Sequence, residues 1–172
     1  PKRFKEKFCY FTKKRLGGKL VWFHGASVGE IHSIIPLIEK LEKNKKISQI
    51  LITSNTLSSS KILLNLKLKK TIHQFFPIDT NHHTQKFLDY WKPSLAIFVD
   101  SEIWPNMITN IKEQSISLML LNARITEKSF KRWKIFAPQA KVFFHKFDIC
   151  LSASLQSRNY LKILGAKKIK YI

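Results

Sequence analysis

Three short polar segments contain the residues of this chain whose types and spacing are suited to chemistry. They are His24–Glu30, Asp100–Asn106 and Asn122–Arg124. Each follows a short apolar run, so each is expected to lie in a loop after a strand. Together they supply carboxylates, an amide, a guanidinium and a glycine-containing turn, which are groups that move protons and bind hydroxyls and anions. A common site requires a fold that brings the three loops together.

The first segment, His24–Glu30, has two glycines and small side chains at the junction of a predicted strand and a predicted helix. Such glycines let backbone N–H groups approach a ligand, and a helix N-terminus favours an anion. The segment lacks the Gly-Lys-Ser/Thr of a phosphate loop and the third glycine of the dinucleotide-binding pattern. Glu30 is suited to act as a general base on a substrate hydroxyl. The alternative is that Glu30 only complements the helix dipole, an effect of about 0.3–1 kcal/mol.

The second segment places Asp100 and Glu102 two residues apart, close to Trp104. Paired acids can coordinate a metal, share a proton or bind sugar hydroxyls. No His or Cys stands at metal-ligand spacing with them, so no metal site is predicted. Trp104 offers either a flat face for a sugar ring or a side chain for core packing. In the third segment, Asn122 and Arg124 are suited to contact a carboxylate or a phosphate.

The histidines and cysteines are not assigned to chemistry. The six histidines are scattered, and each is expected to be a surface or helix-cap residue rather than a ligand. His82 and His83 resemble a metal pair, but adjacent residues of a helix point apart. Cys9 and Cys150 show no partner spacing, which indicates a reducing compartment rather than a disulfide scaffold.

Short apolar runs alternate with amphipathic stretches, and this alternation predicts the elements that position the loops. Strands are predicted at residues 20–24, 50–53, 71–76, 95–99, 117–121, 149–153 and 169–172. Helices are predicted at residues 30–43, 57–66, 81–91, 104–114, 128–147 with an interruption at Pro138, and 155–164. Pro36 is expected to kink the first helix or to delay its start beyond Glu30. Asn81 is expected to cap the helix that it begins.

Strands that alternate with helices of about ten residues predict one α/β domain with a largely parallel sheet. In such sheets the functional residues lie in loops beyond the carboxyl ends of the strands. The three polar segments follow the first, fourth and fifth predicted strands. The sequence therefore predicts one site, with Glu30, Glu102 and Arg124 at the same edge of the sheet.

Charge is the strongest global signal, because 31 Lys and Arg residues against 11 Asp and Glu give a formal net charge of +20. Such an excess predicts attraction to nucleic acid, an anionic membrane surface or a phosphorylated substrate. A lysine-rich composition inherited from an AT-rich genome is the alternative. Basic and aromatic residues crowd residues 1–19, a mixture suited to anionic lipid headgroups. No apolar run approaches the roughly 20 residues of a spanning helix, and there is no secretory signal.

The polar segments, in their order and spacing, resemble the N-terminal half of the 3-deoxy-D-manno-octulosonic acid (Kdo) transferases. The resemblance rests on Trp22–Glu30, Ser101–Asn106 and Asn122–Arg124, and Pro77–Asp79 and Leu164–Ala166 match the layout of that family as well. It runs from about residue 20 to the end of the chain. The combination of motifs is more specific than any one of them.

The resemblance implies the acceptor-side, N-terminal half of a GT-B glycosyltransferase, a Rossmann-like parallel sheet flanked by helices. The family transfers Kdo from CMP-Kdo to the phosphorylated lipid A precursor in lipopolysaccharide biosynthesis, without a metal or another cofactor. It acts at the cytoplasmic face of the bacterial inner membrane. The expected partners are thus the donor, the glycolipid acceptor and an anionic membrane surface, and not nucleic acid.

The resemblance also implies roles for individual residues. The proton acceptor of the family maps onto Glu30. The acidic residue that is assigned to transition-state stabilisation maps onto Asp100, where the family usually has Glu. The substrate-binding residues are expected to be Ser27, Gly29, Glu102, Asn122 and Arg124.

The expected domain organisation follows from the same resemblance. Residues 1–19 are expected to form a basic, aromatic leader in place of a hydrophobic anchor, and residues 20–172 the acceptor-side domain. The donor-binding half, which would contact CMP-Kdo, is expected to be absent from this chain and the chain by itself to be incomplete for catalysis. Two alternatives stay open: a non-catalytic remnant or interaction domain of the same fold, and a basic nucleic-acid-binding module.

Overall fold

A parallel sheet forms the centre of the molecule in the computed structural model, which describes residues 3–64, 66 and 68–172. Its seven strands among these residues lie in the order β3-β2-β1-β4-β5-β6-β7, and every pairing is parallel. The strands are β1 Leu20–His24, β2 Gln49–Ser54, β3 Thr71–Phe75, β4 Leu95–Val99, β5 Ser117–Ala123, β6 Ile149–Ser152 and β7 Ile169–Tyr171. The predicted fold class, a Rossmann-like parallel α/β domain, is confirmed.

Helices cover both faces of the sheet. A short 3-10 helix, Phe4–Phe8, comes first in the chain. The α-helices are α1 Val28–Glu42, α2 Leu57–Leu64, α3 Asn81–Trp91, α4 Pro105–Glu113, α5 Glu127–Ile135, α6 Ala137–Phe144 and α7 Leu155–Ile163. The predicted helix 57–66 is thus observed to Leu64, and Asn65 lies outside the described residues.

The sheet separates two apolar clusters. On one face Trp22 of β1 packs with Phe87 and Phe98, at ring-centroid distances of 4.9 Å and 5.3 Å. On the other face Phe23 joins the buried isoleucines of α1. Because β1 is buried on both faces, it is a continuous apolar run rather than an alternating one.

The strand order reverses direction at β1. The chain proceeds from β1 outwards to β2 and β3, and then returns to place β4 on the other side of β1. His24 is therefore in register with Phe98, so that the carboxyl ends of β1 and β4 lie side by side. The loops that follow these two strands diverge at this point, which is where doubly wound sheets bind their ligands.

The predicted delay of the first helix beyond Glu30 and the predicted Asn81 cap are wrong, whereas a kink at Pro36 stays a prediction. α1 begins at Val28 and continues through Pro36, because Ser27 caps it and its apolar side chains are buried against the sheet. The cost of a proline in a helix is about 3 kcal/mol, which such burial offsets. α3 is capped by Thr80, not by Asn81: the Thr80 hydroxyl accepts a hydrogen bond from the His83 N–H.

The third polar segment also differs from its prediction. β5 extends through Asn122 and Ala123, which were expected to lie in a loop. Asn122 has φ of 53°, and the pairing of β5 with β6 shifts register between Leu120 and Ala123. Strand pairing thus continues past an irregularity that the sequence pattern does not show. The tract 128–147 forms two helices as expected, and its break falls at Phe136.

Part of the basic leader is packed against the sheet. Glu6 is fully buried. It accepts hydrogen bonds from Nε (2.7 Å) and Nη2 (2.9 Å) of the Arg3 guanidinium and from the Thr12 hydroxyl (2.6 Å). The backbone N–H of Phe75 on β3 is a fourth donor, at 2.9 Å. Phe11 stacks on Tyr90 of α3 at 3.8 Å. These contacts attach the leader to β3, an edge strand of the sheet, and to α3.

Within the part of the chain that the structure describes, no helix has the length and apolarity needed to cross a membrane.

We expect Glu6→Gln to lower the free energy of unfolding by about 2–3 kcal/mol at neutral pH, because the Arg3 guanidinium loses its charged partner. Burial by itself raises the pKa of Glu6, but the hydrogen bonds from Arg3, Thr12 and Phe75 outweigh it, so that the pKa in the folded state is lowered. The stabilisation is therefore present above the unfolded-state pKa and is lost as the pH falls through the folded-state pKa.

Urea unfolding of both proteins across the acid range tests this expectation. The difference in stability should be largest near neutral pH and should shrink in acid. Glu39→Gln, an exposed position of α1 with the same charge change, is the matched control and should cost little. Equal losses for the two variants would contradict the assignment of Glu6 as the residue that holds the leader.

Candidate active site

The three polar loops lie at one edge of the sheet, as the alternation of strands and helices predicts. They follow or end β1, β4 and β5, which are adjacent in the sheet. Burial is the main cause that raises the pKa of Glu30 and of Asp100; the charges of Glu102 and Asp100 add to it at Glu30, and the charge of Arg124 opposes it at Asp100. Three carboxylates and a guanidinium therefore share this edge.

Glu30 is held in a reciprocal cap at the start of α1. Its Oε1 accepts a hydrogen bond from the Ser27 hydroxyl at 2.7 Å, and its Oε2 accepts one from the Ala26 N–H at 2.8 Å. The Ser27 Oγ in turn accepts from the Glu30 N–H at 3.2 Å. This arrangement resembles a capping box, so the residue has a structural role whatever its chemical role. A Cβ at Gly25 would lie 3.1 Å from the Glu30 Cβ, so a glycine there lets the side chain fold back.

The pKa of Glu30 is raised. Burial is the largest cause, the hydrogen bonds from Ser27 and Ala26 oppose it, and the charges of Glu102 and Asp100 add to it. A carboxylate with a raised pKa is a stronger general base than an ordinary one, because its pKa lies closer to neutral pH. The environment of Glu30 is therefore compatible with proton abstraction.

The surface beside Glu30 is open. Ser27 and Gly29 are exposed, and a Cβ built on Gly29 would meet no described atom within 4 Å. Packing in this chain therefore does not explain the glycine at position 29. The space above the first turn of α1 admits a ligand that approaches the Glu30 carboxylate.

Glu102 has a different environment. Its Oε2 accepts two hydrogen bonds, from His24 Nε2 at 3.1 Å and from Trp104 Nε1 at 2.7 Å. Among the described residues, Oε1 accepts none, and the side chain is 15% exposed. Burial raises the pKa of Glu102, but the contact with His24 and the hydrogen bond from Trp104 lower it by more than burial raises it. The pKa of Glu102 is therefore below its usual value. Glu102 is thus an ionised group with one oxygen available to a ligand.

His24 begins the first polar segment, but the sequence analysis gave it no role, and the structure places it beside Glu102 in the candidate site. It is fully buried and stacks on Phe76, with ring centroids 3.8 Å apart. Its Nδ1 lies 3.0 Å from the Thr53 hydroxyl oxygen, and its Nε2 contacts Glu102. The signal in the sequence was a histidine at the end of an apolar strand, at the point where the first polar segment begins.

The expectation that the histidines lie at the surface or cap helices is wrong for His24 and also for His73. His73 is buried on β3, with its Nε2 2.9 Å from the Ser54 Oγ and its Nδ1 2.9 Å from Arg3 Nη2. The expectation fits His83, whose Nδ1 lies 2.8 Å from the Thr80 hydroxyl oxygen at the start of α3. The buried histidines have polar partners supplied by neighbouring strands and by the leader, which local sequence does not reveal.

Asp100 and Arg124 are connected through the backbone. Asp100 has φ of 62°, its N–H donates to the Leu121 carbonyl at 2.9 Å, and its carbonyl accepts from the Arg124 N–H at 3.3 Å. Left-handed conformations at residues other than glycine are uncommon, and they concentrate at functional sites. Burial raises the pKa of Asp100, the charge of Arg124 opposes this, and Glu102 adds to it, for a net increase.

The segment Pro77–Asp79 holds the second loop in place. The Asp79 carboxylate accepts hydrogen bonds from the N–H groups of Asn106 (3.2 Å) and Met107 (2.8 Å), the first turn of α4. The ring of Trp104 packs on Phe76 at 5.1 Å while its indole donates to Glu102. Trp104 is half-buried, so its packing on Phe76 is observed, while contact with a sugar ring stays a prediction.

No group of three or more His, Cys, Asp or Glu residues within the described ranges is arranged to hold a metal ion.

A doubly wound sheet with an acidic site at its switch point defines the class of Rossmann-like domain to which this chain belongs. A family model described as 3-deoxy-D-manno-octulosonic-acid transferase (kdotransferase) matches residues 2–172. The chain belongs to the Kdo transferase family, of which it represents the N-terminal domain.

Individual relatives agree with this assignment. The chain is 42% identical over 150 residues to a 3-deoxy-D-manno-octulosonic acid transferase of Rickettsia felis, a match that covers 86% of this chain and 32% of the relative. It is 37% identical over 149 residues to an Arabidopsis thaliana protein named as a probable mitochondrial 3-deoxy-D-manno-octulosonic acid transferase, covering 86% and 33% of the two chains. The chain thus spans about a third of the length of these curated relatives.

A solved structure supports the fold. A Listeria monocytogenes protein named as a UDP-N-acetylglucosamine 2-epimerase superimposes with a TM-score of 0.61 at 15% identity. The match covers 90% of this chain and 45% of the other. At this identity the similarity shows the fold alone.

The convergence of the carboxylates leads to a test. Replacing Glu102 by Gln removes one of the negative charges that raise the pKa of Glu30, so the Glu30 carboxyl should titrate at a lower pH in this variant. Carbon-detected NMR titration of labelled glutamate carboxyl groups measures the change directly. Glu39→Gln, on the exposed side of α1, should leave the Glu30 titration where it was. An unchanged Glu30 titration in Glu102→Gln would show that the two loops do not interact.

Proposed function

We propose that the protein containing this chain transfers Kdo from CMP-Kdo to the phosphorylated lipid A precursor, and that this domain supplies the acceptor side and the general base. Membership of the Kdo transferase family supports the proposal. The single observation that carries it is the set of three carboxylates at the switch point, in which the pKa of Glu30 is raised and that of Glu102 is lowered. Environments that separate the pKa values of neighbouring acids are typical of acid–base sites.

The proposed step is the attack of an acceptor hydroxyl on the anomeric carbon of Kdo. Glu30 takes the proton of the primary hydroxyl, and the hydroxyl oxygen forms the glycosidic bond to the anomeric carbon. The bond between that carbon and the phosphate oxygen of CMP breaks, and its electron pair leaves with CMP. A positioned carboxylate base contributes about 10²–10⁴-fold to such a step. Asp100 is assigned to the cation-like centre that develops at the sugar.

Glu30 can serve both as a cap and as a base. Its two oxygens each accept one hydrogen bond from the α1 cap, and a carboxylate oxygen has about two acceptor sites. The cap fixes the carboxylate beside Ala26 and the exposed Ser27, where we place the acceptor hydroxyl. The structural and catalytic roles are thus compatible, and only a variant that keeps the cap separates them.

The remaining site residues are assigned to substrate. The free Oε1 of Glu102 is suited to accept a hydrogen bond from a sugar hydroxyl. The exposed Arg124 is suited to a phosphate or to the carboxylate of Kdo. Ser27, Gly29 and Asn122 complete the proposed binding surface.

The proposed location is the cytoplasmic face of the bacterial inner membrane. The formal charge of +20 favours contact with a bis-phosphorylated glycolipid and with anionic headgroups, each basic residue near the lipid contributing about 1 kcal/mol. The names of the relatives specify transfer of Kdo. The donor, the acceptor and the membrane are therefore proposals for this chain.

Glu30→Gln tests the catalytic assignment in a protein of the relatives' full length, for example this domain joined to the C-terminal two-thirds of the Rickettsia felis relative. A glutamine preserves an acceptor at the capping position, so stability should change little. Turnover should fall by about 10²-fold or more, because the base is lost. The measurement is Kdo transfer from CMP-Kdo to the lipid A precursor, with thermal unfolding in parallel.

Glu39→Gln on the exposed side of α1 is the control and should keep both turnover and stability. If Glu30→Gln turns over at a rate near that of the unchanged protein, Glu30 is only a cap. The base would then be sought at Asp100 or Glu102, which share the same edge.

A further inference from the structure

The α5–α6 hairpin is attached to the domain by one side only. All nine residues of α5 are described, and none of them is buried. On its inner side Phe130 stacks on Tyr160 of α7 at 4.1 Å, and Trp133 meets Phe144 of α6 edge-on at 5.5 Å. The outer side of α5 is therefore available to a partner.

The outer side of α5 has a regular charge pattern. Lys128, Lys131, Arg132 and Ile135 are exposed and follow the spacing i, i+3, i+4 and i+7, which places them on one face of a helix. Between residues 127 and 146 the only acidic side chain is Glu127, which pairs with Lys131 at 2.7 Å. The cations of this stretch are Lys128, Lys131, Arg132, Lys134, Lys141 and Lys146.

An apolar group lies at the end of this basic face. Ile135 is 74% exposed, Phe136 is 60% exposed and Val142 is 57% exposed. Val142 lies on the outer face of α6, since Ala140 and Phe144, two positions away on either side, are buried. We call Ile135, Phe136 and Val142 the apolar elbow. Ile135 and Phe136 are consecutive at the α5–α6 junction, and Val142 lies further along α6. Exposed apolar side chains of this kind are a typical mark of an interaction site.

We propose that the apolar elbow inserts into the interfacial region of an anionic lipid bilayer while the basic face of α5 contacts the headgroups. Charge complementarity selects this occupant: Lys128, Lys131 and Arg132 share the exposed face of α5 with Ile135, and their long stems allow the charged ends to reach the headgroups. Apolar insertion next to a basic helix face is how interfacial helices bind membranes. A purely electrostatic contact would not need exposed Ile135 and Phe136.

The leader is a weaker candidate for this contact. Its Arg3 is engaged by Glu6 and His73, and the Arg15 guanidinium donates to the Trp91 and Gly18 carbonyls. Phe4 and Tyr10 remain exposed. The leader lies along β3, whereas α5 packs on α7, the helix next to β6 and β7 at the other edge of the sheet. Probes at the two places therefore distinguish them.

The elbow also has a defined position relative to the site. α5 begins three residues after Arg124 and contains nine residues, which corresponds to about 13 Å of helix. Insertion would hold Arg124 about one helix length from the bilayer, within reach of the headgroup of a membrane-anchored acceptor. This last consequence rests on the proposed function, but the docking does not.

A fluorescent label at Phe136→Cys tests insertion in this chain. The native Cys9 and Cys150 are buried, and burial raises their thiol pKa values to about 11 and about 12, so neither should react. An environment-sensitive dye at position 136 should shift to the blue with phosphatidylglycerol-containing vesicles and stay unchanged with phosphatidylcholine alone. Dyes at Tyr10→Cys and at Leu155→Cys, both exposed positions, should respond little.

Vesicle binding by matched variants separates the apolar and charged contributions. Ile135→Ser with Phe136→Ser should weaken binding to the anionic vesicles by at least about tenfold. Leu155→Ser with Ile163→Ser, apolar residues of similar exposure on α7, should change binding by less than about twofold. Lys131→Gln with Arg132→Gln should weaken binding mainly at low salt. Lys40→Gln with Lys43→Gln, at the C-terminal end of α1, is the control with the same charge change.

Several results would overturn the proposal. One is insertion of the dye on Tyr10→Cys in place of the dye on Phe136→Cys. Others are equal binding to neutral and anionic vesicles, and tighter binding to duplex DNA than to lipid. Another is self-association that the elbow substitutions abolish without any effect on vesicles. In a full-length transferase, Ile135→Ser with Phe136→Ser should keep its turnover when the acceptor is dispersed in detergent. The same variant should lose turnover when the acceptor is presented in vesicles. Absence of Kdo transfer in the unchanged protein would instead count against the proposed function.

Discussion

The hydrogen bond from His24 Nε2 to Glu102 Oε2 joins the two loops on which the site depends. It is possible because β1 and β4 are adjacent and parallel, so that the loops after them emerge side by side. The surrounding structure supports this contact. Phe76 and Phe98 enclose the imidazole, Trp104 donates to the same carboxylate oxygen, and the Asp79 carboxylate caps the helix that follows. The bond, together with that from Trp104, engages Oε2 of Glu102 and leaves Oε1 without a hydrogen bond among the described residues.

Three carboxylates at one edge would repel each other if all were equally ionised. The structure gives them different environments. Glu102 is stabilised as an anion by His24 and Trp104, whereas burial and the neighbouring charges raise the pKa of Glu30 and of Asp100. One group is thus kept charged while another is adjusted towards proton uptake. The same proximity that costs electrostatic energy supplies the difference in pKa that acid–base chemistry requires.

The large positive charge of the chain is divided between two uses. Some cations are structural: Arg3 neutralises the buried Glu6, and Arg15 donates to backbone carbonyls. Others, such as Lys128 and Arg132 on α5, are exposed beside apolar side chains. A net charge alone does not distinguish these uses, because attraction to polyanions depends on which cations remain accessible. The exposed face of α5 is one place where charge and apolar surface coincide.

The sequence by itself determined the fold class, the edge of the sheet that carries the site, and most element boundaries to within two residues. Apolar periodicity and the order of the polar loops are local properties, so β1 and β4 were predicted with the bounds that the structure has. The tertiary structure alone decided the roles of His24 and Glu6, the cap at Asp79 and the extension of β5 through Asn122. Each of these depends on a partner 27 or more residues away or on a neighbouring strand, and local sequence patterns do not encode which distant groups meet.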